Sequence, residues 1–184
     1  MSSARLTAGL LALVLALTVP LTGPARAGSP AEIDRDVNAA LANMYDSVPG
    51  TREMTKQAKG VLVFPSILKA GFLFGAQYGE GALRRQGRTA GYYNTVAASY
   101  GFQAGIQSFG YALFFMTDSA LQYLETSGGF ELGTGPSLVI LDEGAARAFT
   151  STTLQKDMYA VFFNQRGLMG GVGIQGTKIS RIGR

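Results

Sequence analysis

The sequence contains neither cysteine nor histidine, and these two absences exclude several kinds of function. Without cysteine there is no disulfide and no thiolate metal site, so packing alone must hold the fold together. Without histidine the chain lacks the commonest general base and the commonest protein metal ligand. We therefore expect a binding protein rather than an enzyme, with no metal or redox cofactor.

Positive charge is in only small excess, since the formal net charge is +4. Two of the basic residues, Arg5 and Arg26, lie in an N-terminal segment that we expect to be removed. The remaining balance is too modest for a protein dedicated to nucleic acid, so no nucleic-acid partner is predicted. The placement of the basic residues should matter more than their number.

Residues 1–27 have the pattern of a cleavable signal peptide. Arg5 precedes an apolar run over 6–21, and the small residues of Ala25-Arg26-Ala27 suit cleavage after Ala27. A retained membrane anchor is the alternative, although the run is shorter than the roughly 20 apolar residues that a spanning helix needs. We predict that residues 28–184 form a single domain that is periplasmic or secreted.

Two helices are predicted at the start of this domain. Ser29 and Glu32 have the spacing of a capping box, with Pro30 at the first helical position. Apolar residues then follow at spacings of three and four, which predicts one buried face: Ile33, Val37, Leu41, Tyr45 and Val48. A second short helix is predicted over 51–59, and Thr117 is expected to cap a third over 118–125.

The remainder of the chain has the pattern of β-strands. Residues 95–107 alternate between small polar positions and an apolar set that we expect in the core: Val96, Ala98, Tyr100, Phe102, Ala104 and Ile106. Residues 111–116 predict a central strand, and three further strands are predicted over 137–141, 158–163 and 170–182. Glycines inside the strands permit tight curvature. The expected fold is α+β: a strongly curved, barrel-like antiparallel sheet with helices packed on it.

A series of motifs resembles the bacterial, exported branch of the SYLF domain family. They are AKGVLVFP at 58–65, KAGF at 69–72, YGEGAL at 78–83, GYYN at 91–94, GFQAG at 101–105, FMTD at 115–118, GLM at 167–169 and GTKISRI at 176–182. Eukaryotic SYLF domains bind phosphoinositides and other anionic lipids, and some fungal members bind actin. Bacterial members are exported envelope proteins, and several are lipoproteins, whereas this chain has no cysteine for lipid attachment.

This resemblance implies that the chain binds anionic or phosphoinositide-like lipid at a bacterial envelope membrane, without catalysis. The alternative is a structural or interaction protein of the cell envelope that holds another protein through the curved sheet. An actin partner is not carried over, because the periplasm contains none.

The densest basic cluster is the predicted lipid-binding site. Arg84, Arg85 and Arg88 flank a turn at Gly87, where three guanidinium groups could project towards lipid phosphates. A solvated basic turn is the alternative. Five further basic residues are weaker candidates, since the lysines could simply be helix-end charges and the last two should face opposite sides of a strand: Lys56, Lys59, Lys69, Lys178 and Arg181.

Few acidic residues have a pattern that suggests chemistry. Asp142 and Glu143 are adjacent and would point apart on a strand, so they predict a turn. Glu80 is the only acid that we expect in a buried position, either as a polar group in a cavity or at the edge of a strand.

Overall fold

The structure is a computed structural model that describes residues 27–127, 130–131, 137–141 and 156–183. Within these ranges the side chains of 101–103, 130–131 and 169–176 are not described. The predicted signal segment and the predicted turn at Asp142 and Glu143 therefore lie outside the described residues. The elements are α1 (Pro30–Ser47), α2 (Thr51–Gln57), β1 (Gly60–Arg85), β2 (Arg88–Phe115), α3 (Asp118–Thr126), β3 (Phe130–Glu131), β4 (Leu138–Leu141) and β5 (Met158–Ile182).

The sheet is built from three very long strands, with β2 between β1 and β5 and both pairings antiparallel. The expected α+β class and the strong curl are confirmed, and the curled sheet is a half-barrel. The sheet is mixed, because β4 pairs in parallel with β5 while β3 pairs antiparallel. The last two strands predicted from the sequence are one continuous strand, because pairing with β2 continues through residues 166–169 after a register shift.

A tight turn joins the first two long strands. Gln86 and Gly87 both have positive φ, 50° and 77°, as the central residues of a type I′ hairpin turn require. This turn matches the right-handed twist of the flanking strands, which confirms the turn predicted at Gly87. The register of the hairpin is set here, with Arg85 opposite Arg88.

The sheet curls so strongly that the two ends of β1 stack on each other. A Cβ atom at Gly81 would overlap the carbonyl oxygen of Val63, and one at Gly79 would lie 2.9 Å from the carbonyl oxygen of Ser66. The chain turns back at a bend over 71–75, where Leu73 has a φ of 62°. Close backbone approach at these glycines is therefore what allows the curl.

Hydrophobic residues form two layers, one on each face of the curled sheet. The inner face encloses a cluster that α3 completes: Leu62, Phe64, Leu83, Tyr93 and Ile179 with Leu121 and Leu124. The outer face packs against α1 near the stacked strand ends: Val61, Val63, Ala82 and Phe114 with Ile33 and Val37. The helices thus cover the outer face at only one end.

The helix ends follow the local sequence closely. Ser29 Oγ accepts from the backbone N–H of Glu32 at 3.3 Å, and the Glu32 carboxylate accepts from the Ser29 N–H at 2.7 Å, which confirms the capping box. Thr117 caps α3 as predicted, with Oγ1 accepting from the Ala120 N–H at 3.3 Å. For α2, Gly50, with a φ of 90°, occupies the N-cap position, and the helix ends at Gln57 rather than at residue 59 as predicted.

The assignment of the two faces of residues 95–107 is also wrong. The apolar positions that were expected in the core, among them Val96, Tyr100 and Ile106, are exposed, while Thr95 and Ser99 are buried. The alternation itself is present. It is reversed because the small residues occupy the inner face, where the curled sheet leaves little room, and the larger side chains point outward. The side chain of Phe102 lies outside the described residues.

Candidate functional site

The outer face of the sheet carries a continuous group of exposed apolar side chains around the bend. We call this group the outer apolar face, and its members come from all three long strands: Leu68, Phe72, Phe74, Tyr78, Val96, Tyr100, Ile106 and Leu168. Phe72 is 75% exposed and Leu168 is 88% exposed. Soluble proteins rarely leave such a contiguous apolar surface uncovered unless it binds something.

Strand register explains why these side chains lie side by side. Phe74 is opposite Tyr100, and their ring centroids are 5.0 Å apart. Ile106 is opposite both Ala70 on β1 and Leu168 on β5. Because residues directly opposite each other share a face of a sheet, the outer apolar face extends across β1, β2 and β5.

Two exposed basic residues border the outer apolar face. Lys178 on β5 is opposite Val96, and Arg166 on β5 is opposite Ser108. Both positions share the outward register, so each cation lies beside exposed apolar side chains. An apolar surface with cations at its margin has the composition of a membrane-interface contact.

Charge is distributed unevenly between strands and helices. The three long strands contain seven basic residues and a single acid, Glu80. Acidic residues are frequent on the helices instead: Glu32, Asp34, Asp36, Asp46, Glu53, Asp118 and Glu125. The strands are thus better suited than the helices to meet an anionic surface.

The three predicted hairpin arginines are not brought together as one group. Arg84 packs against α1, where its Nη2 donates to the Asp34 carbonyl at 3.2 Å and to Asn38 Oδ1 at 2.6 Å. Its side chain is only 13% exposed, and the same nitrogen lies 3.5 Å from Asp34 Oδ1. Arg85 points to the other side and pairs with Glu125 at 3.4 Å. Arg88 is exposed at the turn.

Asp34 is the centre of the contact that holds α1 on the sheet. Its carboxylate accepts from Thr89 Oγ1 at 2.6 Å and from the Tyr92 hydroxyl at 3.0 Å. Burial first, and then the hydrogen bond to the Asp34 carboxylate, raises the pKa of Tyr92. With Arg84 these contacts form a structural network, so Arg84 contributes to the fold at this position.

The weaker basic candidates lie in several different places. Lys56 pairs with Glu53 at 3.0 Å, and Lys59 pairs with Asp118 at 3.5 Å. Lys56 and Arg84 do line one cleft of 340 Å³ between the helices and the hairpin. The structure thus brings Lys56 and Arg84 to one cleft, and it places Arg85 opposite Arg88 at the hairpin turn.

Lys69 and Arg181 lie away from the outer apolar face. Lys69 is opposite Gln107 and lines a groove of 290 Å³ with Gln77, Gln165, Phe109 and Phe162. Arg181 is opposite Tyr93 and donates to the Ala90 carbonyl at 3.4 Å. Lys178 and Arg181 are on opposite faces, as their odd spacing in the sequence indicates. Lipid contact by each predicted residue stays a prediction.

Sequence reasoning missed the outer apolar face and Arg166. The signal was present, because large apolar residues alternate along three strands that contain almost no acid. The alternation of apolar residues predicts one buried face of a strand, but it does not say that these apolar residues are the exposed set. No helix in the described ranges is long and apolar enough to cross a membrane.

Residues 96–182 match the family model Ysc84, whose description is "Las17-binding protein actin regulator". The match is to a Ysc84 (SYLF) domain, and it spans a little under half of the chain. The predicted resemblance is thereby confirmed, and the matched range contains α3, all of β5 and β2 from Val96 onward. Comparison with curated proteins gave no match.

The Ysc84 family is associated with lipid and actin binding, and it is a family of binding domains rather than of known enzymes. Much of the outer apolar face falls within the matched range, including Val96, Tyr100, Ile106 and Leu168. Phe72 and Phe74 precede that range on β1. A binding role therefore agrees with both the matched family and the exposed surface of this chain.

Proposed function

We propose that the chain is a non-enzymatic lipid-binding protein that inserts its outer apolar face into an anionic membrane surface. One observation carries the proposal: an uncovered group of aromatic and aliphatic side chains is bordered by Lys178 and Arg166. The aromatic rings would lie at headgroup level, and the cations would contact lipid phosphates. Arg88 is exposed at the hairpin turn, at the end of the sheet on which the helices pack, so this contact leaves it away from the membrane.

Apolar and electrostatic contributions are both needed for stable binding to a membrane surface. Transferring a Phe side chain out of water contributes about 1.5–3 kcal/mol when burial is complete. Each Lys or Arg near an anionic leaflet adds about 1 kcal/mol. Phe72, Phe74, Lys178 and Arg166 together can therefore supply reversible binding without a covalent lipid.

The placement of acidic residues favours one orientation on the membrane. Glu32 and Asp36 of α1 line a cleft with Leu68 and Tyr78, at the base of the bend, whereas Phe72 and Phe74 lie within the bend at 71–75. An anionic surface repels Asp36 and Asp46 on that helix and attracts the basic strands. If the bend enters the membrane first, the acidic helix stays away from the anionic surface while Lys178 and Arg166 approach it.

The membrane that we propose is that of the bacterial envelope, reached after removal of the signal segment. Support comes from the signal pattern over 1–27 and from the resemblance to exported SYLF proteins. Bilayers of anionic phospholipid and of phosphoinositide share the phosphate chemistry that Lys178 and Arg166 would contact. Vesicles of each composition distinguish them.

Sedimentation with liposomes tests the proposal directly. The double variant Phe72→Ser with Phe74→Ser should bind phosphatidylglycerol vesicles roughly 100-fold more weakly, since each ring contributes at least about 1.5 kcal/mol. Ile140→Ser is the matched control, because Ile140 is also exposed, at 66%, but lies on β4 outside the outer apolar face. That control should bind as the parent does.

Two outcomes would contradict the lipid proposal. Unchanged binding of the double variant would show that the outer apolar face does not contact the membrane. If the parent binds no vesicle of any composition, while cross-linking in envelope extracts captures a protein through this face, the alternative of an envelope interaction protein is correct. Melting curves of all variants check that the fold is intact.

A further inference from the structure

The start of the described domain is tied to the sheet through the backbone nitrogen of Gly28. The backbone nitrogen of Gly28 donates to Glu80 Oε2 at 2.8 Å, across 52 positions of sequence. The other carboxylate oxygen of Glu80 accepts from the Tyr78 hydroxyl, also at 2.8 Å. Glu80 is thereby fixed on the sheet with one oxygen directed at the first nitrogen of the predicted mature chain.

The cleft around Gly28 is acidic. Gly28 lines a cleft of 250 Å³ together with the acids Glu32, Asp36 and Glu80, and no basic residue lines this cleft in the described part of the chain. These carboxylates are not close enough to form a metal-binding group among the described residues. A single ammonium group is the cation that this arrangement suits.

Helix electrostatics give a reason for the excess of acid. Gly28 immediately precedes Ser29, the N-cap of α1, where the positive end of the helix dipole disfavours a nearby cation. Carboxylates of Glu32 and Glu80 offset that repulsion.

We infer that cleavage after Ala27 converts the Gly28 nitrogen into an α-ammonium that forms an ion pair with Glu80. The peptide bond between Ala27 and Gly28 is hydrolysed by a peptidase, with water supplying hydroxyl to Ala27 and hydrogen to the Gly28 nitrogen. The pair then ties the start of α1 to β1 at a place where the uncleaved chain has only a neutral hydrogen bond. Maturation thereby completes the attachment of the first helix.

The space around Gly28 explains why glycine suits this position. A Cβ atom there would lie 3.3 Å from both Glu80 Oε2 and Ile33 Cγ1, which is tighter than ordinary contact. A larger first residue would push the amine away from the carboxylate. The new N-terminus is thus matched to the cleft that receives it.

Thermal melting of the mature protein tests this inference. Protein that begins at a free Gly28 should melt about 2–4 °C higher at pH 7 than the same protein N-acetylated at Gly28. In a Glu80→Gln background the difference should vanish, whereas in the matched control Glu53→Gln, an exposed acid on α2, it should persist. The difference should also fade as pH rises above about 9, because an α-amino group then loses its charge.

Several results would overturn the inference. Equal melting of the free and acetylated proteins would show that the charge on the amine is irrelevant. A difference that survives Glu80→Gln would assign the effect to another group. Sequencing of the exported protein provides an independent check, since an N-terminus other than Gly28 excludes the ion pair. None of these results depends on whether the protein binds lipid.

Discussion

The carboxylate of Asp157 accepts two hydrogen bonds from Ser137, one from the backbone N–H at 3.0 Å and one from the hydroxyl at 2.8 Å. These bonds connect the start of β4 to the start of β5. The Ser137 hydroxyl bond and the Ser137 backbone bond, in that order, lower the pKa of Asp157 below its ordinary value of 3.8. Asp157 also accepts from Thr117 Oγ1, the residue that caps α3.

Asp157→Asn should lower the melting temperature at neutral pH by about 2–4 °C, since a net hydrogen bond contributes about 1 kcal/mol. A carboxyl group with a lowered pKa in the fold stabilises it above the ordinary pKa. That contribution is lost as pH falls through the lowered value. The gap between parent and variant should therefore close below about pH 3.8. A gap that is constant from pH 7 to pH 3 would contradict this account.

Arg84 and Arg88 should differ in how much each contributes to the stability of the fold. Arg84→Ala removes a largely buried side chain and its bonds to Asp34 and Asn38, so it should destabilise the fold by roughly 1–3 kcal/mol. Arg88→Ala removes an exposed turn residue and should change stability by less than about 0.5 kcal/mol. Chemical denaturation measures both. Equal stabilities would show that the contact between α1 and the hairpin is unimportant.

Gly81 should be the glycine least tolerant of substitution in β1. Gly81→Ala places a Cβ atom against the backbone of Val63, where the stacked strand ends cannot both keep their positions. We expect a loss of at least about 1–3 kcal/mol, as in overpacked cores. Gly183→Ala is the matched control, because no atom lies within 4 Å of its Cβ position. If both variants unfold at the same denaturant concentration, the strand ends are not stacked this closely.

Removing the bordering cations should weaken vesicle binding in a salt-dependent manner. The double variant Lys178→Gln with Arg166→Gln should lose up to about 2 kcal/mol, or roughly 30-fold, at low salt. High salt should shrink this loss, because exposed charges are then screened. Arg35→Gln with Arg52→Gln removes the same charge from α1 and α2 and serves as the control. An equal loss in both pairs would indicate an effect of net charge alone.

Local sequence determined the parts of the fold whose interactions span a few residues. The capping box of Ser29 and Glu32 closes within four residues. The turn at Gln86 and Gly87 is equally local, and glycine readily adopts the positive φ that the second of these positions requires. The alternation over 95–107 also follows from sequence, because successive side chains of a strand point to opposite faces. Residue types alone therefore predicted the helix starts, the first hairpin and the α+β class.

Tertiary structure decided which face is buried and which cations are free to bind. Alternation cannot say which set of side chains points inward, and here the curl over Gly79 and Gly81 assigns the inner face to small residues and leaves Tyr100 exposed. The difference between Arg84 and Arg88 depends on Asp34, which is 50 residues from Arg84 in the sequence. Contacts of such separation depend on how α1 packs on the sheet, and no local pattern contains that information.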